Sequence, residues 1–372
     1  MGSPRSPLLT RVTFSAPASD GGTLPATRSP RAVPLLVVAV YDAADLSHAD
    51  VRLVDVSSGV VVARLGGLSS GGHLGAAGGL VCLVSAKATV RVIDPATGAA
   101  TNVVGAAAPG DTAPAHNGRR ARPPLHVFGH VPATGEYKVL RISAAAAAAP
   151  GQSQSQSCEI LTIGDREPQR WRPAQGPPAP VAAAAYRSKA VSRGVAHFLL
   201  LPPPPHHGAT ECDAVASFDL GAEAWRPCLL RGPLSSSGRA GDAFRAHLSL
   251  AELDGFLAAA HHDYRGGCVD VWQLTDLEQG AWSRTHSVRL ASVLRGWGGA
   301  PPDEPGRRGR LVAGGREWLA QPLAVLDDGR VALWVEGTGS LRVYDPKTGA
   351  CTEVADMGRF SSLIGLSTAA IE

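Results

Sequence analysis

Charged residues make up only 18% of this 372-residue chain, below the roughly 25% usual in soluble proteins. With 35 Lys and Arg against 32 Asp and Glu, the net charge is +3, too small to select a partner of either sign. Cysteine is sparse. Cys82, Cys158, Cys212, Cys228, Cys268 and Cys351 form no CxxC, and a disulfide framework is not expected at this dilution. A reducing compartment, cytoplasm or nucleus, is the expected location. The N-terminus lacks the apolar run of a signal peptide. The longest strongly apolar run, Val33–Val40, is far too short to cross a bilayer as a helix. Gly2 and Ser6 fit the loose myristoylation pattern, but Pro4 and Pro7 surround them, and no membrane partner is expected. GxSxG, GxGxxG, P-loop and HExxH patterns are all missing. No motif therefore names a reaction, and neither a catalytic residue nor a cofactor is expected. No segment sustains a helical period, which excludes a doubly wound α/β fold.

What the chain does have is turns. It carries 43 Gly and 29 Pro, as many short strands joined by tight turns require. Leu341–Val354, LRVYDPKTGACTEV, reads as strand, turn, strand. Its Asp hydrogen-bonds its own backbone, its Pro presets φ, and its Gly supplies the positive φ that closes the turn. Related units occur at Val51–Leu65, Val90–Val103, Phe128–Ile142, Cys158–Pro173, Val215–Leu230 and Val269–Val288. Six residues after the turn Asp, or Val131 in its place, stand Val61, Ala100, Tyr137, Trp171, Trp225, Trp282 and Cys351. A large ring recurring at one offset is expected to pack between neighbouring sheets.

A second hairpin type precedes several of these units. Asp254-Gly255 and Asp327-Asp328-Gly329 lie between alternating hydrophobics, with Arg193-Gly194 and Ala77-Gly78 as weaker instances. Pairing the two hairpin types, and joining the units Phe128–Ile142 and Cys158–Pro173 into one sheet, gives six sheets at about 33–65, 73–105, 124–173, 191–230, 246–291 and 318–355. Repetition of such sheets predicts an all-β fold, a single β-propeller of six four-stranded blades spanning 33–372. Residues 1–32, rich in Ser, Pro, Ala and Gly, are expected to form a flexible arm. Closure needs a strand from one terminus, either Ser361–Ile371 or Val12–Phe14.

The ordered blocks GGLVCLV with VRVIDPATG, FGHVPATGEYKVLRI, CEILTIGD…WR, SFDLGAEAW, ELDGFLAAAHHDYRGGCVDVWQLTD…WSR and PLAVLDDGRVALW…LRVYDPKTGACTEV resemble the plant F-box-associated domain. The resemblance spans roughly 33–356. It implies a kelch-like propeller that selects the protein to be ubiquitinated by a cullin-based ligase, with catalysis done by other subunits. Residues 1–32 do not supply the three helices of an F-box. Contact with a Skp1-type adaptor is therefore expected only if an F-box is encoded upstream. The alternatives are a stand-alone scaffold propeller and a propeller enzyme. The enzyme would need convergent His, Tyr and Cys ligands or paired carboxylates.

Trp297, in a Gly-rich insertion and outside any strand pattern, is a candidate partner contact together with Arg307 and Arg308, because Trp and Arg anchors dominate interfaces. Arg119-Arg120-Ala121-Arg122 is read as solvated loop charge, and no aromatic platform accompanies it to suggest nucleic acid. His261-His262-Asp263 is the best metal-like cluster, but neighbours on a strand point to opposite faces, so no metal site is expected. His206-His207 lies in a polyproline loop and is weaker still.

Overall fold

The computed structural model describes residues 33–42, 48–69, 73–84, 89–95, 97, 99–103, 124–144, 156–164, 170–182, 186–201, 213–236, 248–263, 266–294, 312–313, 316–317 and 319–369. Six four-stranded antiparallel sheets make a propeller. Blade one holds β1 (Val33–Tyr41), β2 (His48–Asp55) and β3 (Val61–Ser69), with the C-terminal β26 (Ser361–Ala369) as its inner strand. Blade two is β4 (His73–Ala77), β5 (Leu80–Val84), β6 (Val90–Ile93) and β7 (Ala100–Val103). Blade three is β8 (Leu125–Val131), β9 (Glu136–Ala144), β10 (Gln156–Ile163) and β11 (Arg172–Ala174). Blade four is β12 (Lys189–Ser192), β13 (Val195–Leu199), β14 (Val215–Asp219) and β15 (Ala224–Trp225). Blade five is β16 (Leu248–Leu253), β17 (Phe256–Asp263), β18 (Cys268–Asp276) and β19 (Ala281–Arg289). A short ribbon, β20 (Val312–Ala313) and β21 (Arg316–Glu317), precedes blade six, which is β22 (Leu319–Val325), β23 (Val331–Glu336), β24 (Ser340–Tyr344) and β25 (Cys351–Asp356). Of the two closing strands the sequence allowed, the C-terminal one is used; Val12–Phe14 lies outside the described residues.

The core is distributed over the blade junctions as separate apolar clusters, two of them between blades five and six. Leu35, Val37 and Leu53 of blade one meet Val81 and Ile93 of blade two. On the other face of the same sheet, Leu36, Val38 and Val54 meet Trp334, Leu341 and Val343 of blade six. A sheet covered on both faces needs apolar residues at successive positions. This is why β1 reads as an unbroken run rather than an alternation. The remaining junctions follow suit, with Phe128, Val139 and Leu161 against Cys82 and Val84, and Phe198 and Phe218 against Ile142 and Ile160.

The recurrent position after each Asp turn packs backwards onto the preceding blade. Val61 joins the blade-six cluster, Trp171 the blade-two cluster and Cys351 the blade-five cluster. At three of these positions the ring's polar tip bonds the preceding blade's backbone, whereas the buried Trp171 Nε1 has no hydrogen-bond partner among the described residues. Tyr137 Oη donates to Gly78 O at 2.7 Å, Trp225 Nε1 to Gln175 O at 2.8 Å and Trp282 Nε1 to Arg231 O at 2.7 Å. Ala100 is exposed; its methyl is too short to reach across.

The Asp turns themselves are built as the sequence implies. Asp345 Oδ1 accepts from Lys347 N at 2.8 Å, Oδ2 accepts from Thr348 Oγ1 at 2.9 Å, and Gly349 closes the turn at φ 70°. These bonds, led by that from Lys347 N, hold the Asp345 carboxyl below the usual carboxylate range. Blade four departs from the pattern. Its turn Asp219 is followed at the same position by Glu223, in the left-handed region at φ 55°, where Gly is favoured. The compensation is electrostatic. Glu223 Oε1 meets Lys138 Nζ at 2.9 Å and Arg172 Nη2 at 2.7 Å, both on blade three. Lys138 is nearly buried, its side chain 5% exposed. Removing Glu223 leaves this poorly solvated ammonium only the longer contact to Glu136 Oε2 at 3.5 Å. We expect Glu223→Ala to lose about 1–3 kcal/mol in urea unfolding, and Glu223→Gly to recover part of that by relieving the backbone.

Candidate functional site at the turn face

Five inner hairpins, and the blade-one ends of β1 and β26, come to one end of the propeller axis. Gly78-Gly79 (φ 52° and 86°), Arg193-Gly194 (48° and 78°) and Asp254-Gly255 (53° and 81°) are two-residue turns with both central residues left-handed, as a tight hairpin requires. Blade six closes instead by a wider turn, with Leu326 N donating to Arg330 O and Gly329 N to Leu326 O, each at 2.8 Å. Together with His130 and Pro132 of blade three they enclose a mouth of about 880 Å³.

The rim combines charge with an aromatic. Arg193 lays its guanidinium over the Phe256 ring, Cζ 4.1 Å from the centroid, bridging blades four and five. Phe256 is 37% exposed, among the few large hydrophobics so placed. Glu252, Asp254, Asp327 and Asp328 also line the mouth. Burial pushes the Glu252 and Asp254 carboxyls up, opposed at Glu252 by the Gly255 N–H and at Asp254 by the Val325 backbone bond and the His286 charge. Asp328 goes the other way, because Arg330 N donates to it at 3.0 Å and Arg330 Nε at 2.6 Å.

Below the mouth lies a throat of about 170 Å³. The two share Ala76, Val191, Glu252, Leu323 and Leu366 and are therefore continuous. Lys189, at the start of β12, lines the throat, and its Nζ donates to His126 O at 2.5 Å.

Trp297, Arg307 and Arg308, the contacts singled out in the sequence, lie outside the described residues, as do Arg119, His206 and His207. His262 is a junction residue: its Nε2 accepts from Ala320 N of blade six at 3.0 Å. Among the described residues, no group of three or more His, Cys, Asp and Glu is placed to hold a metal. The sequence reading missed the Arg193–Phe256 pair. The local signal was there, an Arg-Gly in a turn and a Phe just after Asp-Gly, but their meeting depends on two blades lying side by side. It also missed His197, whose ring sits between Ser192 Oγ (3.2 Å from Nε2) and Ser217 Oγ (2.9 Å from Nδ1) in blade four. In AHFLL it is indistinguishable from an apolar strand residue.

Residues 69–294 match the F-box associated beta propeller domain family. No curated protein sequence matches the chain. Solved structures with similar folds include a dihydro-heme d1 dehydrogenase, NirN, in complex with DHE (15% identity over 94% of this chain and 78% of that one, TM-score 0.33). Another is YCF48 bound to D1 peptide (12% identity, 91% and 86%, TM-score 0.37). A third is the Pyrococcus horikoshii acylaminoacyl peptidase (9% identity, 83% and 48%, TM-score 0.38). At these identities and scores they add nothing to the reading of the site.

Proposed function

The chain belongs to the F-box-associated β-propeller family, and we propose that it serves as the protein-recognition part of an SCF-type ubiquitin ligase, holding the protein to be ubiquitinated at the mouth of the turn face. In this reading the propeller performs no chemistry of its own. A Skp1-type adaptor is a partner in this reading only if an F-box accompanies the propeller, and the site of action is the cytoplasm or nucleus. The family match over residues 69–294 carries the reading. The Arg193–Phe256 pair supports the choice of face, since exposed aromatic and Arg side chains are the usual anchors of protein interfaces. Trp297, Arg307 and Arg308 are retained as candidate further contacts.

The test has two arms. The protein encoded by the full-length transcript is mixed with purified Skp1-type adaptor; absence of a complex sinks the ligase link. A partner identified by proximity labelling in cells is then measured against purified wild type and the Arg193→Glu/Phe256→Ala double variant. Loss of two anchors is expected to weaken binding by roughly 30-fold or more. Unchanged affinity removes the turn face from the reading.

A further inference from the structure

Lys189 presents an ammonium inside the propeller axis with little to hold it. Its one hydrogen-bond partner among the described residues is the His126 carbonyl, which leaves two N–H donors free. No acidic side chain among the described residues pairs with it. Burial alone pushes it down to about 8. The other titratable side chains lining the throat are His126 on β8 and Glu252 on β16. Glu252 is engaged elsewhere, accepting from Gly255 N at the rim. The rest of the lining is largely apolar, including Val127, Ala190, Leu250, Pro322, Leu363 and Ile364. A cation facing a cavity without a counter-charge is costly, and an anion delivered to the cavity removes that cost.

We propose that the throat is a carboxylate site, with Lys189 as its charged ligand and the mouth as its entrance. The inference rests on the protein-recognition reading and sharpens it, since the occupant would be a carboxylate on an extended segment of the bound protein. The dimensions suit this. Lys189, the first residue of β12, lies four positions before Arg193 in the turn that follows the strand, about 13 Å at 3.3 Å per residue. An extended segment of about four residues therefore spans from rim to ammonium. The throat volume of about 170 Å³ leaves room for a narrow chain end rather than a folded element. The ammonium acts as a point charge with free N–H donors, which suits a charge-assisted bond to a carboxylate oxygen.

The purified protein is exposed to a limiting amine-acetylating reagent, and the Lys189 acetylation rate is read by mass spectrometry with acetate, tetraglycine or tetraglycine amide present. Tetraglycine is expected to slow Lys189 acetylation roughly tenfold, the result of raising its pKa by about one unit, with acetate weaker and the amide without effect. Equal protection by acetate would assign the site to small free carboxylates and still support it. Protection by the amide equal to that by the acid, or protection by neither, overturns it. Lys189→Met, which keeps the side-chain length, should retain the wild-type circular dichroism and lose the calorimetric heat of tetraglycine binding. The identified partner's affinity is measured on the same preparations. A partner that binds while tetraglycine fails overturns the carboxylate site alone, whereas loss of partner binding in the rim variant tests the recognition reading separately.

Discussion

A chain ending at Gly358 is expected not to fold. The missing β26 is the inner strand of blade one, pairing with β1 from Val33 to Val40. It also seals two junctions, with Leu363 and Leu366 packed against the blade-six cluster and Ile364 against the blade-two cluster. Burying each such side chain stabilises by about 1.5–3 kcal/mol as an upper estimate. Losing three of them is comparable to the whole stability of a typical domain, about 5–15 kcal/mol. The cut also leaves β1 as an uncovered edge facing an open axis, which invites association. Size-exclusion chromatography should show the truncated chain as aggregate, and its thermal scan should lose the cooperative transition. Adding a synthetic peptide of residues 359–372 should restore a monomer, because the strand pairs without a covalent link to its blade. A truncated chain that melts like wild type would mean that β1, β2 and β3 close the ring unaided.

The same closure shows what was legible in the sequence. The hairpins were readable because their chemistry is local. Asp345, Pro346 and Gly349 carry the turn in a span of five residues, and Asp254-Gly255 does the same for an inner hairpin. Counting hairpins gave the six blades and left one strand short, which reduced closure to a choice between two termini. The recurring Trp and Tyr positions marked the junctions, although an even offset left their face open; the structure sends them to the preceding blade. What could not be read was anything defined by two blades at once. Glu223, on blade four, is an ion-pair partner of Lys138 and Arg172 on blade three. Lys189 lines a throat to which the innermost strands of all six blades contribute. Arg193 and Phe256 are 63 positions apart in the chain and stack.

Acid sensitivity is the other large effect, and it traces to His197. The residue is 1% exposed at the middle of blade four. Burial, with the nearby Arg226 charge adding to it, pushes the imidazole down from 6.5 to about 3. Two hydroxyls serve the neutral ring well, because one of its nitrogens donates and the other accepts, and Ser192 and Ser217 can each take either part. The unfolded chain titrates near 6.5 and the folded one only near 3, so the unfolded state binds the proton first as pH falls. The stabilisation is therefore fully present above about pH 6.5 and is lost progressively from there down toward pH 3. At about 1.36 kcal/mol per pH unit, the loss is roughly 2 kcal/mol by pH 5. Urea unfolding of wild type and His197→Gln at pH 7 and pH 5 isolates it, since Gln can bond both hydroxyls but does not titrate. Wild type should lose about 2 kcal/mol more than the variant between the two pH values. Equal losses would mean that His197 accepts its proton in the folded state, and that Asp and Glu side chains elsewhere in the chain set the acid limb.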